Sequence, residues 1–214
     1  RVLRNDGTVW VNIGDTYFGA KGGAWYGENS IANNETGYQY RIKKKAPPKH
    51  NYLKTKDLVG IPWMFAFAMQ KDGWYLRQDI IWHKPVPMPE SVNDRLQKSH
   101  EYIFLFSKKK NYYFNTEAIG VKKKEEEGWV RRHDVWEIPT SNFQGAHFAV
   151  FPTKLPELCI KASTKENDTV LDPFLGSGTT AHVAQRLNRK WVGIELNSDY
   201  VKIINSRTAQ KELF

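Results

Sequence analysis

Val170-Leu171-Asp172-Pro173-Phe174-Leu175-Gly176-Ser177-Gly178-Thr179-Thr180 runs a short apolar strand into a glycine turn and the first residues of a helix. That succession brings backbone against a ligand at the C-terminal end of a strand, and Gly176 and Gly178 leave room for the approach. Further on, Trp191-Val192-Gly193-Ile194-Glu195 ends a second strand on a carboxylate, which can accept hydrogen bonds from both hydroxyls of a ribose. The spacing suits a nucleoside lying across two adjacent strands. A dinucleotide site would need a third glycine in its fingerprint, and the GK[ST] ending of a phosphate-binding P-loop is absent. Two glycines by themselves make no more than a tight turn. Asp172 before them and Glu195 after them turn the reading toward a pocket.

Outward from this stretch, a helix is predicted near Pro152 to Ala162, a strand at Thr169 to Leu171, a helix at Thr179 to Leu187, a strand at Lys190 to Ile194 and a last helix from about Ser198. This is a βαβ unit, which predicts a parallel sheet with right-handed crossovers. Near the start, Thr8 to Ile13 reads as a strand after the turn Asn5-Asp6-Gly7, with Arg1 to Arg4 as the last turn of a helix. From Gly14 to about Lys56 no period is sustained, and so long a connection in a compact domain is expected to be a functional or mobile loop. Leu58 to Gln70 reads as an apolar helix that tolerates Pro62 in its first turns. Trp74 to Trp82 reads as a buried strand stopped by Pro85, Pro87 and Pro89, and Glu101 to Phe106 as another. Residues 107–145 are again Lys-rich and irregular.

The chain has 214 residues, enough for one core, and a formal net charge of +9. On an ordinary globular composition that charge points to a polyanionic partner, with nucleic acid the first candidate. Lysine triplets at 43–45, 108–110 and 122–124 supply much of the excess; the plainer reading of any one of them is a solvated loop. Trp25, Tyr26, Tyr38 and Tyr40 share a stretch with the first triplet and offer stacking faces beside cations. The one cysteine, Cys159, excludes an intrachain disulfide, and there is no Cys/His cluster at zinc spacing. No stretch approaches the roughly 18 to 20 apolar residues of a membrane span, and the first residues lack a signal-peptide layout. A soluble protein of a reducing cytoplasm is expected.

The run from Asp172 to Thr180, followed by Gly193-Ile194-Glu195-Leu196-Asn197 and Tyr200, resembles the cofactor motifs of the N4-cytosine and N6-adenine DNA amino-methyltransferases. The motif is highly specific, and its place near the C-terminus resembles the permuted type, in which the catalytic region precedes the cofactor region. His147 to Leu155 resembles the family segment that contributes to the methionine end of the pocket. Gly7 to Asp15 and Asp79 to Pro85 resemble the two strands that flank the active site, so the likeness spans nearly the whole chain. It implies an α/β, Rossmann-like methyltransferase fold with a mostly parallel twisted sheet and helices on both faces. A single, N-terminally incomplete domain over 1–214 is implied, with loop-rich DNA-recognition regions at 15–55 and 107–145 and a cofactor half at 146–214. S-adenosylmethionine is the implied cofactor, bound by Phe148, Phe151, Pro152, Asp172, Pro173, Phe174, Gly176, Ser177, Gly178, Thr179, Thr180, Glu195 and Leu196, with no metal. The implied partner is double-stranded DNA in a bacterial, archaeal or phage-encoded setting, together with a restriction endonuclease system or a second chain.

One departure is large. The family's catalytic tetrapeptide, Asp, Asn or Ser followed by Pro-Pro and an aromatic, is nowhere in these residues: the Pro47-Pro48 pair is flanked by Ala46 and Lys49. In relatives it lies upstream of the segment resembling Arg1 to Asp15. The residues expected nearest the base pocket are then Asn12 and Asp15 from the first flanking strand and Trp82, His83 and Lys84 from the second. The stiff run from Pro85 to Ser91 is expected to wall that pocket or touch DNA. The target atom is cytosine N4, favoured by the run Asn12 to Tyr17, or adenine N6. The alternative is a non-catalytic DNA- or nucleoside-binding remnant, or one subunit of a split methyltransferase.

Overall fold

Thr8-Val9-Trp10-Val11-Asn12-Ile13 is rich in β-branched and aromatic side chains, which pack well on a pleated surface, and it forms β1 (Thr8–Ile13) as the sequence predicts. The computed structural model describes residues 2–19, 31–33, 39–41, 50–123, 127–140 and 151–209. After β1 come β2 (Ile31–Asn33), β3 (Gln39–Arg41), α1 (Ile61–Lys71), β4 (Tyr75–His83) and β5 (His100–Ser107). A 3-10 turn (Glu117–Ile119), β6 (Val121–Lys122), β7 (Trp129–Val130) and β8 (Val135–Glu137) follow. The last part is α2 (Lys154–Ser163), β9 (Thr169–Asp172), α3 (Thr179–Arg186), β10 (Lys190–Gly193) and α4 (Ser198–Ala209). The chain divides into two compact units, Arg1–Asn12 with Met69–Phe214, and Ile13–Ala68. Among the described residues no helix is long and apolar enough to cross a membrane.

In the larger unit one sheet has the order β1-β5-β4-β8, and β9 pairs with β10 in a second. β5 runs antiparallel to β4, from Tyr75 opposite Ser107 to His83 opposite His100, and β8 runs parallel to the end of β4 at Ile81 to His83. Lying between two neighbours, β5 buries both of its faces, Ile103 and Leu105 on one and Phe104 and Phe106 on the other. β4 is less buried than its composition predicts. Only Ile80 and Trp82 are fully enclosed, because β8 reaches just the last three residues and leaves the first half of β4 as an edge. The expected helical turn at Arg1 to Arg4 is not found in residues 2–7. These form a turn closed by Gly7 N donating to Arg4 O at 3.2 Å, while the Arg4 guanidinium binds Asp6 at 2.9 Å and Asp168 at 3.3 Å.

α2 holds the two sheets together. Leu155, Leu158 and Ala162 pack into the cluster formed by Ile80, Trp82, Ile103 and Trp136, and Ile160 packs against Val183 and Ala184 of α3. Trp10 Nε1 donates to Ser163 Oγ at 3.2 Å, which ties β1 to the end of the same helix. β9 and β10 are parallel and in register from Thr169 opposite Lys190 to Asp172 opposite Gly193. Val170 and Trp191 turn toward the helices.

The smaller unit is organised around one carboxylate. Residues 15–18 lie against 56–59, with Phe18 N donating to Asp57 O at 2.8 Å and Val59 N to Thr16 O at 3.0 Å. Asp15 Oδ1 accepts from the backbone N–H groups of Thr16 at 2.8 Å, Gly60 at 3.0 Å and Ile61 at 3.1 Å. The helix expected from Leu58 therefore starts at Ile61, one residue after Gly60 takes a left-handed φ of 82°. β2 and β3 pair antiparallel, Ile31 opposite Arg41, within the stretch read as an irregular loop. Trp25, Tyr26, Tyr38, Lys43 to Lys45 and the side chain of Tyr40 lie outside the described residues.

Two outcomes follow. Asp15→Ala leaves the first N–H groups of α1 without their anionic acceptor and is expected to cost about 1–2 kcal/mol in denaturant unfolding. Glu157 pairs with Lys161 of its own helix at 2.7 Å and reaches α3 through Arg186 at 3.3 Å. Burial works against its charge, but the hydrogen bond from Lys161 and the nearby Lys154 outweigh it and hold the carboxyl below the usual range. A depressed carboxyl stabilises above its unfolded pKa, and that stabilisation disappears as pH falls through the folded value. Glu157→Gln should therefore melt below the parent protein near about pH 7, and the difference in Tm should close toward about pH 3.

Candidate functional site

The turn after β9 is built by its own aspartate. Asp172 Oδ1 accepts from Phe174 N at 2.9 Å and Oδ2 from the Thr180 hydroxyl at 2.6 Å, so one side chain spans the turn from its second residue to the first turn of α3. Gly176 and Gly178 take φ values of 54° and 84°, a left-handed region that disfavours a Cβ. Gly178 has a second constraint: a Cβ there would sit 3.0 Å from Ile204 Cγ1 of α4.

The acid of the second strand reaches this turn. Glu195 Oε2 accepts from Gly176 N at 2.8 Å and Oε1 from Asn197 N at 2.8 Å. The β9 and β10 registers continue into the same place, with Ile194 N donating to Asp172 O at 3.0 Å and Leu175 N to Ile194 O at 3.0 Å. Gly193 lets the turn close, since a Cβ on it would lie 2.2 Å from Leu175 Cδ2. A carboxylate offers about four acceptor positions, so with one N–H on each oxygen Glu195 keeps capacity for two hydroxyl donors. Beside it Phe174 and Leu196 are 88% and 98% exposed, apolar surface suited to a flat ring. Ser177 and Thr179 are buried under the turn, where Arg207 Nη1 donates to Ser177 O at 2.9 Å, Ser177 Oγ at 3.1 Å and Thr179 Oγ1 at 3.3 Å. Burial lowers the Arg207 pKa from its ordinary value, and the three oxygens partly replace its lost hydration. Sequence reading missed this arginine because it stands far along the chain, in an otherwise ordinary amphipathic helix.

The other expected site residues fall in three places. Phe148 lies outside the described residues, Phe151 packs half-buried on the core of the four-stranded sheet, and Pro152 is buried with its carbonyl accepting from Leu155 N at 3.1 Å. Pro173 is exposed in the turn. Asn12 and Lys84 meet on a residue the sequence did not single out, Glu101. Asn12 Nδ2 donates to Glu101 Oε2 at 3.0 Å and to Tyr102 O at 3.1 Å, and the Lys84 ammonium pairs with Glu101 Oε1 while lying 4.4 Å from the Trp82 ring centroid. Trp82 itself is a core residue whose Nε1 donates to Ile138 O at 2.7 Å. His83 faces Glu137 at 3.4 Å. Asp15 belongs to the smaller unit, where its carboxylate is taken up by the start of α1.

Comparison with known proteins identifies the family and the fold. A family described as DNA methylase matches residues 1–206. The Type II methyltransferase M.Cfr9I of Citrobacter freundii is 50% identical over 97% of this chain and 66% of its own length. M.SmaI of Serratia marcescens is 47% identical over 99% of this chain and 70% of its own length. The chain thus spans about two thirds of these curated relatives, 66% and 70%. Among solved structures, the PvuII DNA methyltransferase (cytosine-N4-specific) superposes with a TM-score of 0.72 at 23% identity, covering 99% of this chain and 67% of that one. The M1.HpyAVI–SAM complex gives a TM-score of 0.54 at 28% identity, covering 71% of this chain and 70% of that one. The α/β methyltransferase fold expected from the sequence is therefore the fold observed.

The fit of Leu175 over Gly193 is open to a double-mutant cycle. Gly193→Ala alone forces an overlap and should cost about 1–3 kcal/mol. In a Leu175→Ala background the 2.2 Å overlap is removed and the Cβ of residue 175 remains 3.2 Å from the same methyl, so the two costs are expected to be less than additive in thermal unfolding.

Proposed function

The chain belongs to the N6/N4 DNA methylase family, and from that premise we propose that the protein it forms transfers a methyl group from S-adenosylmethionine to an exocyclic amino group in double-stranded DNA. Cytosine N4 is the favoured target, on the run Asn12 to Tyr17. The observation that carries the reading is the 2.8 Å bond from Gly176 N to Glu195, which sets an anionic acceptor at the mouth of a glycine turn.

The residues present fit the cofactor. Glu195 has the acceptor capacity for two adjacent ribose hydroxyls, Phe174 and Leu196 flank it with open apolar surface, and Gly176 and Gly178 keep side-chain bulk out of the turn. S-adenosylmethionine, when bound, supplies an electrophilic methyl on sulfonium. Asp172 braces the turn through Phe174 N and the Thr180 hydroxyl. Arg207 fixes the same turn from below. Orientation is most of what this reaction asks of a protein, since an in-line displacement gains chiefly from positioning. The target base has to leave the stack before its amino group can be reached. The chain's net charge of +9 suits the phosphate backbone that must be held meanwhile.

The groups that accept hydrogen bonds from the target amino group in this family form the tetrapeptide, which these 214 residues do not contain. A second reading therefore keeps the same cofactor pocket but takes the tetrapeptide from another polypeptide, making this chain one part of a split enzyme. A restriction endonuclease acting at the same DNA site is the partner proposed from the relatives' Type II names.

The decisive measurement is transfer of labelled methyl from S-adenosylmethionine to duplex DNA by the intact protein, followed by mass analysis of the nucleosides. N4-methylcytosine is the expected product, and N6-methyladenine would correct the target atom. No methylated base at all would overturn the reading. Glu195→Gln keeps the shape of the side chain but removes its charge. It is expected to weaken cofactor binding by about 10- to 100-fold, the worth of charged hydrogen bonds at about 1.5–3 kcal/mol, and to lower Tm as well, because the amide NH2 cannot accept the second of the two backbone N–H groups that Glu195 holds.

A further inference from the structure

Between β4 and β5 the chain leaves the sheet as residues 84–99, and this loop shows apolar side chains to water. Val86, Met88 and Leu96 are 80%, 86% and 90% exposed. Such groups in a slack loop would need no explanation, but this loop is built. Lys84 N donates to Ser99 O at 2.7 Å and closes its base. Gln97 Nε2 crosses the loop to Met88 O at 3.0 Å. Arg95 Nη1 binds Glu90 Oε2 at 2.6 Å and Leu96 O at 3.1 Å. Pro85, Pro87 and Pro89 fix φ along one arm. Gln97 holds Met88 from across the loop, and Leu96 takes a hydrogen bond from its neighbour Arg95, which itself crosses to Glu90, so both apolar side chains stand on a braced backbone.

Ordering a backbone so that large apolar side chains remain in water is unfavourable unless something covers them in the working state. The loop rises from the sheet rim where Asn12 and Lys84 converge on Glu101. Met and Leu are among the side chains that enter between base steps and unstack them, and withdrawing a base costs stacking that an inserted apolar group partly replaces. The net charge of +9 favours a polyanion over a protein surface as the occupant. We propose that residues 84–99 form a wedge, with Met88 and Leu96 entering the duplex stack and filling the space from which the target nucleotide is withdrawn. This rests on the reading of the protein as a methyltransferase of duplex DNA.

The test compares the intact protein with its Met88→Ser/Leu96→Ser variant, whose changes lie in water and not in the core. Methyl transfer is measured on the duplex identified by nucleoside analysis, and on the same duplex with an abasic site opposite the target base, which leaves that base unpaired and less costly to withdraw. The variant should lose at least about tenfold in kcat on the paired duplex and stay within about threefold of the parent on the abasic one, because withdrawing an unpaired base costs less and leans less on an inserted side chain. A 2-aminopurine beside the target should brighten with the parent protein and not with the variant, while affinity for S-adenosylmethionine stays unchanged. Equal losses on both duplexes, or full activity on the paired one, would overturn the wedge while leaving the function intact. A drop of several degrees in Tm for the variant would also overturn it, by placing the loop tip against protein. If the parent methylates neither duplex, the functional reading has failed and the wedge fails with it.

Discussion

A carboxylate reaching a backbone amide across two parallel strands is the contact on which the strand ends depend. Glu195 meets Gly176 N at 2.8 Å because β9 and β10 are in register with Asp172 opposite Gly193, which puts the acid two residues past the pair and level with the turn. A shift of one residue would send Glu195 to the other face, since side chains alternate along a strand. Register is in turn fixed by Val170 and Trp191 packing toward the helices, so the pocket inherits its geometry from the core. The two acids at this site divide the work. Asp172 spends both oxygens on the turn, and Glu195 holds the turn with one oxygen and its own following loop with the other.

How much of this was legible in the sequence differs from element to element. β1 was read to the residue and the βαβ unit nearly so, because alternation, glycines and turn residues agree there and local preference coincides with the fold. The partnership of Glu195 with the turn was legible too, since it follows from strand order and spacing. β8 was not. Val135-Trp136-Glu137 is too short to carry a period, and it becomes a strand only by pairing with Ile81 to His83, which is tertiary information. The start of α1 was placed too early for a similar reason. Leu58 and Val59 are apolar, but they pair with the segment at Thr16 and Tyr17 before Gly60 turns the chain. Lys108, one of a lysine triplet read on a loop, donates to Leu3 O at 2.8 Å, a contact no local pattern announces.

The candidate site shows the same divide at the level of single residues. Gly176 and Gly178, which act through backbone shape, were visible because a turn of left-handed φ favours glycine, whereas the close approach of Leu175 to Gly193 was not. Residues that act through long-range partners were not. Glu101 looks like an ordinary strand residue, and Arg207 like a solubilising cation at the end of a helix. Both become informative only when the fold brings Asn12 and Lys84 to the first and Ser177 and Thr179 to the second.

The Lys84–Glu101 pair also bears on what the rim is for. A half-buried ion pair gains little net stability, because loss of hydration cancels most of the attraction, and the cation–π contact with Trp82 adds on the order of 0.5–1 kcal/mol. Stability is therefore a weak account of this cluster. Its geometric effect is strong. Asn12 stands near the end of β1, Lys84 follows the end of β4 and Glu101 stands near the start of β5, so one carboxylate ties three neighbouring strands at the point where the chain departs into the loop of residues 84–99. With Lys84 N bonded to Ser99 O at 2.7 Å, both arms of that loop leave from a fixed base. The direction of the loop is then set by the sheet, and a surface segment with few core contacts of its own acquires a defined orientation.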